Sequence, residues 1–312
     1  MRIEYHRTLI ADEVRNAAFE AALKTVIRKD ETVVSDIGAG TGLIGLMASK
    51  LGAREVNLYE VAEVASVARD IVKANRARNC HLMPCHSTEM QDPPRADVVV
   101  SETLGNFAFE EDIIETLNDA VKRHLVPGGV VIPGKLAQYV APVTSDRFHS
   151  ELTAWKRVGR GLDLSVAQLM SFNNIYVRTV APADLLDKGR TARRWDEIDF
   201  SVLNKTTRRG DGRWAVEREV TIFGFAAWWV AELVPGVRLS TAPDAPRTHW
   251  EQLYFPLMRP IRMQSGETIA VSLRSKSSMR TGTDMAWSVV RTDRAGQQHD
   301  RQSMDLSKGY LP

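Results

Sequence analysis

The chain has 312 residues, enough for two domains of ordinary size. Lys and Arg number 41 against 39 for Asp and Glu, so no whole-chain charge points to nucleic acid or an anionic membrane as a partner. The longest apolar run, near FGFAAWWVAELV, falls well short of the roughly 18 residues a spanning helix needs. The opening MRIEYHRTLI lacks the apolar core of a signal peptide, so a cytoplasmic protein is expected.

In chain order, residues 12–29 show helical periodicity, with Val14, Ala18, Ala21, Ala22 and Val26 on one side. TVVSDI is a short buried strand and GLIGLMASKLGA a helix stopped by Gly52. EVNLYE, CHLMPC and ADVVVSE read as further strands; EVASVARDIVKANRA and EEDIIETLNDAVKRHL read as helices. This alternation implies a parallel sheet with right-handed crossovers over residues 1–133, an α/β domain of Rossmann-like form. Cys80 and Cys85, flanked by His81 and His86, resemble a metal nest. Zinc sites place a second ligand pair farther along, and none follows, so free thiols in a reducing compartment and no metal are expected.

After Pro133 the pattern changes. LAQYVAPV, IDFSVL, WAVEREVTIFGFAAWW, THWEQLYF, ETIAVSLRSK and MAWSVVR read as antiparallel strands of a second, β-rich domain spanning 134–312. The charged stretch 182–197 interrupts them and reads as partly helical. Within it, KGRTARRW suits a solvated face rather than a nucleic-acid surface. Phe107, Phe109, Trp228 and Trp229 are expected in the core or at an interface.

VVSDIGAGTGLIG follows the first strand and opens a helix, so its glycines let the backbone turn tightly beneath a ligand. Glu60 ends the next strand, where a carboxylate can accept from two ribose hydroxyls. The dinucleotide pattern G-x-G-x-x-G fails from Gly38, because Leu43 holds its last place. It fits from Gly40 through Gly42 to Gly45, with Glu60 about twenty residues on. The loop alone therefore leaves NAD open. Asp36 followed by Gly38, Gly40 and Gly42 is more similar to the S-adenosylmethionine (SAM) loop of class I methyltransferases.

SETLGNFAFEE, residues 101–111, places Glu102 and Glu111 directly after an apolar strand, where unpartnered acids are costly. The segment resembles the double-glutamate loop of the protein arginine methyltransferases. THWEQ (248–252) resembles their Thr-His-Trp loop, and HRTLIADEVR (6–15) resembles the segment preceding their cofactor loop. The resemblance covers nearly the whole chain. It implies a Rossmann-like SAM domain, a β-barrel domain, and a dimerising arm near residues 155–197 inserted in the barrel, hence a homodimer.

The resemblance also implies roles. Arg15 pairs with the SAM carboxylate, Asp36 with Gly38, Gly40 and Gly42 forms the cofactor turn, and Glu60 takes the ribose. Glu89, beside Thr88, takes the adenine amino group. Glu102 and Glu111 grip the substrate guanidinium, His249 and Asp12 form a dyad, and Trp250 walls the slot. The chemistry fits: a guanidinium stays protonated and presents a planar fork of donors, which two carboxylates can hold in one plane. Negative charge beside the far nitrogens leaves electron density on the attacking one. Glu110 and Asp112 read as first-turn acids favoured by a helix dipole, bystanders to the clamp.

Several positions depart from the family. Only MRIEY precedes His6, where an aromatic-rich helix usually lies, so the lid is truncated or built otherwise. Thr103-Leu104 stands where Trp-Met is common, Asn106 where Tyr is common, and Leu9 and Ile113 replace methionines. The substrate implied is a protein arginine, free arginine or a guanidino metabolite. The alternatives are methylation of another small nucleophile and a catalytically silent SAM-binding partner.

Overall fold

The computed structural model describes residues 3–158 and 160–309; Gly159 of the expected arm lies outside them, as do Met1 and Arg2. Two helices open the chain, α1 (Ile3–Ala11) and α2 (Glu13–Val26), separated by Asp12. Asp12 has extended backbone and accepts the Arg15 N–H at 2.9 Å, the geometry of a helix N-cap. Strands β1 (Val33–Ile37), β2 (Glu55–Tyr59), β3 (Cys80–Met83), β4 (Ala96–Ser101) and β5 (Leu125–Ile132) then alternate with helices. These are α3 (Leu43–Lys50) after β1, α4 (Ala65–Ala74) after β2 and α5 (Ile113–Arg123) after β4.

The five strands form one sheet in the order β3-β2-β1-β4-β5, every neighbouring pair parallel. Helices cover both faces of such a sheet, so its central strands β1, β2 and β4 are almost wholly buried; Val98, Val99 and Val100 form a run of apolar residues for that reason. From β1 the chain runs outward through β2 to β3, then crosses back to add β4 on the other side of β1. A crevice therefore opens at the carboxyl ends of β1 and β4. The Ser101 hydroxyl donates to the Ile37 carbonyl at 2.9 Å and ties those two ends together.

The chain then enters β6 (Lys135–Val143), followed by α6 (Arg147–Leu152), α7 (Trp155–Val158), α8 (Ser165–Phe172) and β7 (Tyr176–Arg178). Eight more strands follow: β8 (Arg193–Asp199), β9 (Thr207–Ala215), β10 (Val220–Val234), β11 (Val237–Ser240), β12 (Gln252–Met263), β13 (Thr268–Ser278), β14 (Gly282–Thr292) and β15 (Gln298–Asp305). One antiparallel sheet runs β7-β12-β10-β6-β8, with β11 on β10; the other runs β15-β14-β13-β9. Together they make a barrel-like domain around Trp214, Phe225, Trp229, Phe255 and Trp287, all buried. Alternation along β13 places Ile269, Val271, Leu273 and Ser275 inward.

The charged stretch 182–197 differs from its expected partly helical character. It holds two short 3-10 turns, Pro182–Asp184 and Leu186–Gly189, and then becomes β8. A bulge where β8 pairs with Gln138 and Tyr139 of β6 breaks the two-residue period, so Trp195 and Ile198 both face inward. That irregular spacing hides a strand from a reading of alternation. The α-helices of this excursion lie earlier, between residues 147 and 172.

The two halves share one hydrophobic core. Phe107 and Phe109, from the loop after β4, meet edge to face at 5.5 Å, and Phe107 stacks beside Trp195 at 6.3 Å. Phe255 and Trp287 meet edge to face at 5.3 Å inside the barrel. Replacing Phe255 by Ala is expected to cost about 3–5 kcal/mol, read as a shift of the urea unfolding midpoint.

Candidate active site

One cavity of about 260 Å³ sits at the crevice predicted by the strand order. Its lower part comes from the β1–α3 turn, where Gly38, Gly40 and Gly42 all have left-handed backbone. Gly38 has a φ of 73°, and a Cβ there would fall 2.5 Å from Thr103 Cγ2, so any side chain would push the two strand ends apart. Gly45 serves packing instead. A Cβ on it would lie 2.1 Å from Leu58 Cδ2, which fixes how closely α3 approaches β2.

Carboxylates hold this turn. Asp36 Oδ2 accepts the Gly45 N–H at 2.8 Å, and burial raises its acid to about 7 despite that bond. Glu60 Oε2 accepts from Gly40 N–H at 2.8 Å and its Oε1 from Ala62 N–H at 2.7 Å. Helix α1 covers the turn: His6 is buried, its ring against Gly40, and its Nε2 has no partner among the described residues. Burial lowers the His6 pKa, so the imidazole is neutral near pH 7.

The upper part is assembled from distant segments. Arg15 Nε donates to Glu102 Oε2 at 2.6 Å, its Nη2 meets the same oxygen, and Nη1 donates to Asn16 Oδ1 at 2.6 Å. Two of the five guanidinium N–H bonds remain for a further anion. Burial drives the Glu102 acid up to about 7; Arg15 opposes this and Glu111 adds to it. Glu111 lines the same cavity, and its pKa is raised first by partial desolvation, then by Glu110 and Glu60. Asp12 Oδ2 accepts both the backbone N–H and Nδ1 of His249, each at 2.7 Å. Burial alone would raise the Asp12 pKa, but the bonds from Arg15 and His249 bring it below the ordinary value. His249 is lowered by burial, with Asp12 acting against the shift. Nδ1 thus serves as the donor to Asp12, leaving Nε2 as the base.

The structure brings Arg15, Asp36, Gly38, Gly40, Glu60, Glu102, Glu111 and His249 to one cavity, with Asp12 directly behind His249. Trp250 stands behind the wall: it is buried, its ring centroid 3.9 Å from that of His249, and its Nε1 donates to the Leu104 carbonyl at 2.7 Å. Gly42 starts α3 without lining the cavity. Thr88 and Glu89 lie in a 3-10 turn, Ser87–Glu89, outside the lining, and Glu89 is exposed; His86 lines the cavity in that region. Arg123 holds the turn by donating to the carbonyls of Ser87, Thr88 and Met90.

Sequence reasoning missed the parts played by Tyr5, His86 and Arg123. Tyr5 lines the cavity and meets the His249 ring edge-on at 6.2 Å. Its place just before His6 in an otherwise aromatic-poor opening was the available signal.

The cavity is lined by four carboxylates, Asp36, Glu60, Glu102 and Glu111, against one guanidinium, Arg15. Such a balance favours cationic ligands.

This chain is similar to known proteins in sequence and in fold. A family model described as arginine methyltransferase oligomerization subdomain matches residues 135–289, and one described as ribosomal protein L11 methyltransferase matches 20–150. The chain is 28% identical over 285 residues to protein arginine N-methyltransferase 6 of Xenopus tropicalis, covering 86% of this chain and 82% of that one. It is 28% identical over 273 residues to protein arginine N-methyltransferase 1 of Dictyostelium discoideum, covering 85% and 79%. Among solved structures, the Trypanosoma brucei PRMT1 enzyme–prozyme heterotetrameric complex with AdoHcy has a TM-score of 0.86 at 24% identity, covering 97% of this chain and 98% of that one. Arabidopsis thaliana protein arginine methyltransferase 10 has a TM-score of 0.80 at 20% identity, covering 98% of each.

The Asp12–His249 contact makes its own prediction. In Asp12→Asn the imidazole loses a negative neighbour, so His249 is expected to titrate at lower pH than in the wild type, as followed by NMR of its ring protons. An unchanged titration would show that the carboxylate does not govern the ring.

Proposed function

Because the chain belongs to the protein arginine methyltransferase family, we propose that it transfers a methyl group from SAM to a guanidino nitrogen of arginine. The observation that carries this reading is the convergence of Glu102, Glu111, Arg15 and the Asp12–His249 pair on one cavity.

The cavity suits the cofactor. Glu60, just past the end of β2, turns Oε2 to the Gly40 amide and Oε1 to the Ala62 amide, the His6 ring lies against Gly40 with its Nε2 unpartnered among the described residues, and Arg15 has spare donors. When bound, SAM supplies an electrophilic methyl on a sulfonium. In this reading Arg15 takes its carboxylate, Glu60 its ribose, and the turn at Gly38, Gly40 and Gly42 passes beneath it. Glu89 and Thr88 keep the adenine role as part of the proposal, on the turn that Arg123 holds next to His86.

Glu102 and Glu111 grip the guanidinium and set its plane. Alignment is the larger part of the rate, because a delocalised lone pair attacks poorly unless aimed. Both carboxylates also keep the positive charge on the nitrogens they touch. A guanidinium that gained a methyl group would have to lose one N–H proton. His249, neutral and fixed by Asp12, is positioned to receive it on Nε2. Trp250 acts from behind, locking the His249 ring and the Leu104 carbonyl.

Helices α7 and α8 and their connection expose Trp155, Leu162, Val166 and Met170. Together with the oligomerization-subdomain match, this apolar face supports a homodimer formed through the arm. Sedimentation at micromolar concentration is expected to give twice the chain mass, and Met170→Glu to shift it toward the monomer.

Three measurements test the activity. Incubating enzyme and SAM with an Arg-containing peptide, free arginine and other guanidino compounds should give products heavier by one methyl, with the peptide preferred. Glu102→Gln and Glu111→Gln are each expected to lower kcat/KM about 100-fold while SAM affinity stays within roughly threefold. Full turnover in both variants would sink the clamp. Finally, the clamp works only when Glu102 is ionised, so kcat/KM should rise with pH through an inflexion at about 7.

A further inference from the structure

The loop after β4 carries both clamp carboxylates, and the barrel holds almost all of its outer edge. Trp250 Nε1 donates to Leu104 O, Trp229 Nε1 to Gly105 O at 3.1 Å, and Gln138 Nε2 to Phe107 O at 3.1 Å. The hydroxyls of Ser277 and Thr283 both donate to Phe109 O at 3.0 Å. The Glu251 N–H donates to Asn106 Oδ1 at 2.8 Å.

This loop also contains unfavourable backbone. Ala108 has φ 71° and Asp112 has φ 57°, left-handed conformations that residues with a Cβ avoid. Asp112 stands at the N-cap of α5 without making a capping bond, so the helix start does not secure the loop.

Between those two positions lies Glu110, which the sequence marks as a bystander. Its side chain folds back over Gly105: a Cβ on that glycine would fall 1.8 Å from Glu110 Oε2. Its carboxylate lies beside the backbone N–H groups of Phe107 and Asn106. No backbone acceptor takes those two groups among the described residues. Barrel donors thus hold the carbonyl edge of the loop, and Glu110 lies along its amide edge, over Gly105. The next residue, Glu111, faces the cavity.

We propose that Glu110 is a positioning residue for the methyl transfer: by bracketing the amide edge of the loop over Gly105, it fixes where Glu111 presents its carboxylate. Gly105 is its necessary counterpart, because any side chain there displaces the bracket. The inference rests on the guanidino-clamp reading, so its test includes a readout that needs no turnover.

That readout is amide hydrogen exchange. In Glu110→Ala, exchange at Asn106 and Phe107 should accelerate by about tenfold or more, while the amides of β1 and β4 stay as protected as in the wild type. In the same variant kcat should fall by roughly tenfold with SAM affinity unchanged, and Gly105→Ala should reproduce both effects. Glu110→Gln retains an acceptor oxygen and should recover most of kcat.

The charges facing Glu111 are Glu110 and Asp112 from its own loop, Glu102 across the cavity and Glu60 from the end of β2; the Tyr5 phenol of α1 also feels its charge. Losing the Glu110 charge lowers the Glu111 pKa, so the Glu111 limb of kcat/KM in Glu110→Gln should move to lower pH while the Glu102 inflexion at about 7 stays in place. A role in folding alone would not move that limb. Wild-type exchange and turnover in Glu110→Ala overturns the proposal. So does faster exchange that spreads through β1 and β4. Faster exchange confined to the loop, in a protein that methylates no guanidino compound, would uphold the bracket and refute the activity instead.

Discussion

A loop bearing two carboxylates, hung between two domains, is the constraint on which the rest of the structure depends. Like charges repel, and desolvated acids prefer to be protonated, so Glu102 and Glu111 do not arrange themselves. The sheet fixes Glu102 through the end of β4. It does not fix Glu111, which lies at the far end of a loop with two left-handed residues. The barrel supplies what is missing, through two indole N–H groups, one amide and two hydroxyls aimed at loop carbonyls. The half of the cavity proposed for the cofactor is built from sheet ends and α1–α2. The half proposed for the substrate lies where both domains meet, beside the core that they share.

Electrostatics ties the two halves together. Asp36 and Glu102 have acids raised to about 7, mainly by burial. An acid whose folded pKa exceeds its unfolded value binds its proton more tightly when folded. The stability it contributes is greatest below the unfolded value and is lost as pH rises toward about 7. A cationic ligand reverses that cost, because it stabilises the ionised form in the folded state only. Arg15 already plays this part for Glu102, at 2.6 Å, while Glu111 has no cation against it among the described residues. The local field therefore draws cations to the Glu111 side, although the chain as a whole is nearly neutral.

Much of this was legible in the sequence. Strand–helix alternation, the glycine turn and the acid ending β2 each have local signatures set by backbone geometry. The pairing of Asp12 with His249, 237 residues apart, has none; the order of motifs in the family supplied it. Gln138, Ser277 and Thr283 were invisible as loop supports, because a side chain that reaches a distant carbonyl leaves no periodic mark. Glu110 was misleading for a different reason. An acid at the start of a helix is favoured by the dipole, and that explanation fits the sequence equally well. Only the contact over Gly105 separates the two. Strand β8 was read too late, at IDFSVL, because its bulge puts Trp195 and Ile198 on one side at a spacing that no regular strand has.

Asp12 joins the remaining pieces. One of its oxygens caps α2 through the Arg15 N–H, and the other holds both the backbone and the ring of His249. A single carboxylate therefore fixes the helix that carries the Arg15 guanidinium and the barrel loop that carries the candidate base. Helix α1, immediately before it, lays His6 over Gly40 and sets Tyr5 against His249, so Tyr5, His6, Leu9 and Ile10 all line the cavity. Among the described residues, this side of the cavity is covered by α1. Asp12 directly follows that helix, so the segment that covers the glycine turn leads straight into the carboxylate that holds the His249 ring. In the proposed reading, a displacement of α1 that uncovered the glycine turn would also act on the Asp12–His249 pair.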